Sequence, residues 1–330
     1  MTNGRDPRGP TVLVAAAGRR TTLVRAFVEA TAARGGRTIA ADVDPLAPAL
    51  YLADDAVRLP RTTDPGYVPA LLEIVKRRGV SLLVPTIDTD LPTLAAHAGQ
   101  LEEAGSRLAL SSAGFVAVTG DKQRTAEAFG SLGVRVPAWW LPPIADPSAL
   151  PERVIVKPRH GSASIGVHRA TRGQLDAVLG LVADPIVQEL LDGPEITIDA
   201  LLDFEGRAIH YVPRRRIKTL GGESVEGVTL DRDPSFEAWI VEVLGHAASL
   251  GAVGPLTLQA FQTGDGPVLT EINPRFGGGF PLGLAAGAAY PDWLLDMVAG
   301  VPVEPRLGDY EPGLYMTRYH VEHFVRQPKW

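Results

Sequence analysis

The sequence contains no cysteine, and this absence removes several kinds of site at once. Disulfide bonds, thiolate metal centres and cysteine nucleophiles are excluded, and a reducing cytoplasm is the expected location. The apolar run near the N-terminus is too short for a signal peptide or a membrane span. No basic run stands out, and the net charge is -6. We therefore expect neither nucleic acid nor a membrane as a partner.

Two common nucleotide-binding motifs are also missing. The first predicted strand is not followed by G-x-G-x-x-G, so a nicotinamide cofactor is not supported. The sequence also lacks the GK[ST] that ends a Walker loop. The composition is that of a globular protein, with 45% hydrophobic and 21% charged residues. Its 330 residues are enough for two or three domains or one large multilayer unit.

Residues 1–113 are predicted to form an α/β unit around a parallel sheet. Short apolar runs alternate with helical segments, which is the order of a parallel sheet with crossover helices. The predicted strands are residues 11–16, 37–41, 56–59, 80–84 and 107–110. Asp64 and Pro65 are typical of a helix start and Gly79 of its end, and a further helix is expected to run to about Glu103.

Charged residues follow three of these strands. Ligands of such sheets bind outside the carboxyl ends of the strands, so the loops at residues 17–20, 42–45 and 86–90 predict a substrate wall. Arg19 and Arg20 would hold a carboxylate or phosphate, and Asp88 and Asp90 an amine. The alternative is that these residues are solvated surface charges.

Residues 114–184 contain two lysines and a glycine loop. Asp121 is typical of a helix N-cap, which places Lys122 in the first helical turn. A cation there interacts unfavourably with the helix dipole, and this small penalty makes sense if an anion lies opposite the lysine. A predicted strand leads into Lys157, and residues 159–166 form the tip of a hairpin. Small residues in this tip offer donors that can close over phosphates: Gly161, Ser162, Ser164 and Gly166. A flexible turn is the alternative.

Two further segments carry charged residues beside predicted strands. Glu195–Leu202 alternates as a half-buried strand, and Glu195 on it can accept hydrogen bonds from ribose hydroxyls. Residues 214–224 (RRRIKTLGGES) are predicted to form a loop, either a lid or an anion clamp.

The segment VLTEINPRFGGGF (residues 268–280) is the densest cluster of polar groups after a strand. Glu271 and Asn273 share one face, and their oxygens are ligands of the kind Mg²⁺ prefers. Pro274 should end the sheet, leaving Arg275 to bind a phosphate. A hairpin at TGDG (263–266) would set Gln259 opposite Glu271 if the loop length is odd, and a one-residue slip would turn it away.

The order of these motifs resembles the ATP-grasp superfamily, most closely the stand-alone proteins similar to the large subunit of carbamoyl-phosphate synthase. GDK at 120–122, VKP with its glycine loop, VQELL before Glu195, and EINPRF carry the resemblance. It implies an α/β and α+β fold, in which a Rossmann-like pre-ATP-grasp domain precedes a two-lobed ATP-grasp fold. The implied bounds are 1–113 for the first domain, 114–184 and 185–305 for the two lobes, and 306–330 for the tail.

The resemblance also implies the ligands. The cofactors would be ATP and two Mg²⁺ ions, with Mn²⁺ as a substitute. ATP would contact Lys122, Lys157, Gly161, Ser162, Ser164, Gly166, Gln188, Glu189, Leu190, Leu191 and Glu195. The metal ligands would be Gln259, Glu271 and Asn273. Arg275 would stabilise the transferring phosphoryl group, while Lys218, Arg215 and Arg216 are candidates for holding an acyl phosphate. Ala163 and Gln259 depart from the glycine and the carboxylate that many relatives have there.

The implied activity is ATP-dependent ligation of a small carboxylate to a small amine through an acyl phosphate. Two alternatives remain at this point: phosphorylation of bicarbonate or carbamate with a partner subunit, and ATP binding without catalysis. A homodimer is the expected assembly.

Overall fold

The computed structural model describes residues 9–161, 165–220 and 223–330. Ser162, Ala163 and Ser164 of the predicted phosphate loop lie outside these ranges.

The first sheet is parallel and has five strands. Its elements are β1 (Thr11–Ala15), α1 (Thr21–Ala32), β2 (Arg37–Asp42), β3 (Asp55–Arg58), α2 (Tyr67–Arg78), β4 (Leu82–Pro85), α3 (Leu91–Ala96), α4 (Ala98–Glu103) and β5 (Arg107–Leu108). The strand order is β3-β2-β1-β4-β5, with every pair parallel. Alternate residues of β1 pack into different cores, Val12 and Val14 on one face and Leu13 and Ala15 on the other. Both faces are therefore covered, as expected for a parallel sheet.

Two helix predictions in this unit were wrong in detail. α2 begins at Tyr67 rather than beside Asp64, because the carboxylate of Asp64 accepts the N–H of Gly66 at 2.7 Å in a preceding turn. Gly79 does end α2 in the left-handed conformation, with φ of 63°. The helix expected to run to Glu103 is divided at His97 into α3 and α4.

The second sheet is small and antiparallel. It follows α5 (Ala113–Thr119) and α6 (Lys122–Ser131), and consists of β6 (Trp139–Trp140), β7 (Arg153–Pro158), β8 (His168–Thr171) and β9 (Pro185–Glu189), with α7 (Leu175–Leu179) between the last two. The order is β6-β9-β7-β8. β7 and β8 form the predicted hairpin around the glycine loop. This layer has its own core, which includes Val154, Val156 and Leu175.

The third sheet has six strands. Its elements are β10 (Glu195–Leu202), β11 (Ala208–Leu220), β12 (Glu223–Thr229), α8 (Pro234–Ser249), β13 (Gly254–Thr263), β14 (Gly266–Asn273), α9 (Phe280–Ala285), α10 (Tyr290–Val298) and β15 (Tyr315–Thr317). The order is β14-β13-β10-β11-β12-β15. Its buried residues, such as Leu258, belong to the same core as Phe27 of α1, so this sheet and the first unit pack together. Within the described ranges, no helix is both long and apolar enough to cross a membrane.

The basic segment at 214–224 was predicted to be a loop, and this was wrong for its described residues, 214–220 and 223–224. β11 continues to Leu220 and β12 starts at Glu223. Carboxylates that lie far away in sequence pair with its arginines. Arg214, which is 3% exposed, donates through Nε to Asp199 at 2.8 Å, and Arg216 lies 2.7 Å from Glu195. A run of positive charge is compatible with a partly buried strand when acidic partners stand on the neighbouring strand.

Candidate functional site

A row of polar residues crosses the third sheet. Thr197 of β10 lies opposite Gln259 of β13, and Gln259 lies opposite Glu271 of β14. The turn of the β13–β14 hairpin is two residues long, an even number, and a bulge at Thr270 supplies the extra residue that turns Glu271 toward Gln259. The Thr270 hydroxyl donates to the Gln259 carbonyl at 3.1 Å, which holds the bulge. Gln259 and Glu271 thus face one another, as the first of the two predicted registers required.

Glu271 and Asn273 form the acidic end of this row. The Nδ2 of Asn273 donates to Oε1 of Glu271 at 3.0 Å, so the two side chains share one face of β14 as predicted. The strand ends at Asn273, directly before Pro274, which has no N–H to continue the pairing.

Lys157 stands opposite this acidic end on β7 and is almost completely buried. Burial lowers its pKa to about 8, and the nearby charge of Lys122 lowers it further, while Glu271 and Glu195 act in the other direction. Lys157 from the small sheet lines the same cavity as Glu195 and Glu271 from the large one.

The GDK motif anchors the stem of the glycine loop. Asp121 caps α6 by accepting the N–H of Gln123 at 2.9 Å, and it also pairs with Arg159 at 2.5 Å. Lys122 donates from Nζ to the Gly161 carbonyl at 2.8 Å. Burial alone would raise the pKa of Asp121, and the bonds from Arg159 and the helix N–H groups lower it below its ordinary value. Arg159 was not among the predicted site residues, although its place directly after Lys157 and Pro158 was a local signal.

A cavity of about 260 Å³ lies where these elements meet. Ten of the predicted ligand residues line it: Lys122, Lys157, Gly161, Gln188, Glu189, Leu190, Leu191, Glu195, Gln259 and Glu271. Gly166 adopts a positive φ of 72° beside Pro158, and neither it nor Asn273 is part of the lining. Apolar lining residues were missed, among them Ile155 and Phe261. Each lies two positions from a predicted ligand on the same strand, so the two-residue period of a strand could have identified them.

The three basic candidates on β11 are separated by the sheet. Arg216 pairs with Glu195 at the cavity. Arg215 is exposed and aligned with the buried Ile196, so strand alternation turns it to the opposite face, which corrects its assignment to the site. Lys218 is 66% exposed, and its ammonium lies 3.7 Å from Glu226, so its described contacts also lie away from the cavity.

The three loops of the predicted substrate wall lie together at the carboxyl edge of the first sheet, and their role in binding a substrate stays a prediction. The guanidinium of Arg20 donates to the Thr86 carbonyl at 3.3 Å, and the N–H of Gly18 donates to Asp42 at 2.7 Å. These bonds join the loops after β1, β2 and β4. Arg19 is exposed in the first of these loops.

The two aspartates of this wall have different surroundings. Asp88 forms an ion pair with Arg275 at 2.7 Å. Asp90 is buried and accepts hydrogen bonds from Thr62 and from the Tyr67 hydroxyl, and burial raises its pKa. Asp90 therefore serves the interior of the first unit, which corrects its assignment as a group that holds an amine.

The residues present fit a hard cation shared with phosphate oxygens. The atoms by which Glu271, Asn273 and Gln259 could bind a metal ion are all oxygens. Mg²⁺ in phosphate sites takes one or two carboxylates together with the phosphates. Among the described residues, neither the Thr197 hydroxyl in this row nor the Nε of Arg275 beyond the strand end has a hydrogen-bond partner, and both are buried. Buried polar groups of this kind normally have partners, and a phosphate oxygen or a water would satisfy either of them. Among the described residues, no three His, Cys, Asp or Glu side chains form a metal-binding group.

Two family models match separate parts of the chain. Residues 12–109 match the PylC-like N-terminal domain, and residues 182–319 match the model described as ATP-grasp in the biosynthetic pathway with Ter operon. No curated protein matches the chain.

Solved structures resemble nearly the whole chain at low identity. The biotin carboxylase domain dimer of Hydrogenobacter thermophilus 2-oxoglutarate carboxylase, in complex with MgADP, ADP and bicarbonate, is 18% identical, with a TM-score of 0.76 over 94% of this chain and 74% of that one. N5-carboxyaminoimidazole synthetase from Staphylococcus aureus, complexed with ADP, is 14% identical, with a TM-score of 0.73 over 92% of this chain and 80% of that one. L-amino acid ligase from Bacillus licheniformis is 17% identical, with a TM-score of 0.68 over 89% of this chain and 75% of that one. These likenesses and the family models confirm the predicted mixed fold.

Proposed function

We propose that this chain, an ATP-grasp protein with a PylC-like N-terminal domain, is an ADP-forming carboxylate–amine ligase. In the first step a carboxylate oxygen attacks the γ-phosphorus of ATP, the bond to the β–γ bridging oxygen breaks, and ADP leaves. In the second step the amine nitrogen attacks the acyl phosphate carbon, phosphate leaves, and the nitrogen loses a proton to give an amide. The substrates are small molecules, and the reaction takes place in the cytoplasm.

The observation that carries the proposal is that residues of the small sheet and of the large sheet line one cavity. Lys122 and Lys157 line this cavity together with Glu271 and Gln259, so cations and candidate metal ligands share one space. Phosphoryl transfer needs positioning and charge stabilisation more than covalent chemistry, and this arrangement offers both. Two of the structural neighbours are complexes with ADP, one of which also contains bicarbonate, and a third is named as an L-amino acid ligase, which supports the same reaction class.

The nucleotide would lie along this cavity. We assign the phosphates to Lys122 and Lys157, beside Gly161 at the start of the glycine loop. The strand end at Gln188–Leu191 would receive the adenine, with the Glu189 carbonyl and the Leu191 N–H at its edge. Glu195 would bind the ribose. Its ion pair with Arg216 fixes the direction of the carboxylate.

The metal ligands we propose are Glu271, Asn273 and Gln259. A bound Mg²⁺ would neutralise charge on the phosphates during transfer. Because only one of these side chains is a carboxylate, we expect one tight ion and a second that binds more weakly, and Mn²⁺ should substitute.

Arg275 is our candidate for stabilising the transferring phosphoryl group. It follows the metal-binding strand directly, and a guanidinium presents several donors to phosphate oxygens. Arg216 is the better-placed of the three β11 candidates for the acyl phosphate, since it alone of them pairs with a cavity residue.

The decisive test is ADP release with Mg²⁺ and ATP, screened against pairs of small acids and amines that include amino acids and bicarbonate. The variant Glu271→Ala should lose the activity, at a cost of about 3 kcal/mol or more in transition-state stabilisation. Glu205→Ala is the matched control, because Glu205 is an exposed acid in the turn after β10.

The outcomes separate the candidate functions. Amine-dependent amide formation supports the ligase. ADP release with bicarbonate alone would favour the carbamoyl-type reaction. Tight binding of Mg-ATP with no turnover across the panel would point to a nucleotide-binding subunit and contradict the ligase. We also expect a homodimer, which light scattering of the purified protein can check.

A further inference from the structure

The α/β unit and the metal-binding strand meet at one ion pair. Asp88 opens the short turn Asp88–Asp90 after β4, and Arg275 stands two residues past the end of β14. The two are 187 residues apart in sequence, yet Nη2 of Arg275 lies 2.7 Å from Oδ2 of Asp88. The side chains are 11% and 26% exposed, so the pair is largely removed from water.

The backbone of Arg275 is held by its own sheet. Its N–H donates to the Asn273 carbonyl at 2.8 Å, and its carbonyl accepts the hydroxyl of Thr257 at 3.0 Å. These bonds fix where the side chain starts but leave its torsions free. The direction of the guanidinium is set by Asp88 on Nη2, with a longer contact of 3.3 Å from Nη1 to the Phe276 carbonyl.

The position of Asp88 is itself fixed by the substrate wall. Thr86, two residues earlier, donates to the Ala15 carbonyl at 3.0 Å, and its own carbonyl accepts from Arg20. The loop that carries Asp88 is thus bonded to the loop between β1 and α1. Movement of the wall would reach Arg275 through the carboxylate.

We propose that Asp88 is a positioning residue that directs the guanidinium of Arg275 at the transferring phosphoryl group. This rests on the proposed function and replaces the amine-binding role predicted for Asp88 from sequence. The α/β unit then contributes to phosphoryl transfer as well as to substrate binding. A misdirected guanidinium stabilises the transition state less, while ground-state nucleotide binding through the lysines is unchanged.

The test uses Asp88→Asn, which keeps the shape and removes the charge. We expect kcat for ADP release to fall on the order of 10- to 100-fold. The dissociation constant of Mg-ADP should stay within about twofold of wild type, because Asp88 does not line the nucleotide cavity. Asp64→Asn is the control, since its carboxylate accepts only a turn N–H on the surface of the same unit.

A double-mutant cycle distinguishes positioning from a structural effect. In the Arg275→Ala background, Asp88→Asn should cause no further loss, because the group it directs is gone. An equal loss in both backgrounds, or a wild-type kcat in Asp88→Asn, would overturn the proposal.

A binding assay separates this proposal from the ligase itself. Affinity for Mg-ADP with fluoroaluminate, a mimic of the transferring phosphoryl group, should fall in Asp88→Asn while affinity for Mg-ADP does not. Unchanged affinity for the mimic, or a wild-type protein that binds it no better than Mg-ADP, would overturn the role of Asp88. A wild-type protein that binds the mimic tightly but turns over no acid would overturn the ligase and leave Asp88 to be judged by this assay.

Discussion

Nucleotide binding should take up a proton through Lys157. The pKa of this lysine is about 8, chiefly because burial disfavours its charged form. At pH 8 only about half of the unliganded molecules carry the ammonium, compared with about nine-tenths at pH 7. A phosphate charge beside the lysine restores the cation, so ligand and proton should bind together.

The magnitude follows from simple electrostatics. One phosphate charge about 4 Å away is worth about 4 kcal/mol at a dielectric constant typical of protein surfaces, or about three pKa units. The bound lysine would then be fully protonated at pH 8. We expect uptake of about 0.5 proton at pH 8 and about 0.1 at pH 7. Affinity should weaken about tenfold between pH 7 and pH 9, because the neutral lysine must first be protonated.

Titration calorimetry of Mg-ADP in buffers of different ionisation enthalpy measures this uptake directly. Lys157→Arg keeps the positive charge throughout this pH range and should abolish the uptake. Lys76→Arg, on an exposed face of α2, is the control and should leave it unchanged. Uptake near zero for wild type at pH 8, or equal uptake in Lys157→Arg, would refute the reasoning.

Three further predictions concern other parts of the molecule. A Cβ at Gly279 would overlap the guanidinium of Arg214, which is buried and held by Asp199 at 2.8 Å and so cannot move aside freely. Gly279→Ala should therefore lower the free energy of unfolding by roughly 2–4 kcal/mol in urea titrations. Gly245→Ala, whose Cβ would meet no described atom within 4 Å, should not lower it. Burial lowers the pKa of His210 from 6.5, so as pH falls the unfolded chain takes up this proton before the folded one does. The free energy of unfolding should therefore decrease as pH drops below 6.5, and it should decrease less steeply in His210→Gln. The same change of urea midpoint with pH in wild type and in His210→Gln would contradict this. Gln259→Glu should lower the Mg²⁺ concentration for half-maximal ADP release roughly tenfold, and no change would argue against Gln259 as a ligand.

Local features of the sequence determined much of the site. A strand end followed by Pro274, the two-residue spacing of Glu271 and Asn273, and a lysine directly before a glycine hairpin can each be recognised within a few residues. They depend on strand alternation and turn chemistry, which act over short range. The parallel unit was also predictable, because alternating strands and helices leave few other arrangements.

Tertiary structure decided which side chains lie opposite one another. The bulge at Thr270, rather than the turn length, brought Gln259 opposite Glu271. Asp199 and Glu195 allowed the basic segment at 214–224 to form strands, and folding placed Asp88 against Arg275 and Asp90 beneath Tyr67. A charged side chain looks the same in sequence whether it meets water, a distant counter-ion or a ligand. Its partner is chosen only when chain segments far apart are brought together, because the desolvation that makes a pair necessary arises with the fold.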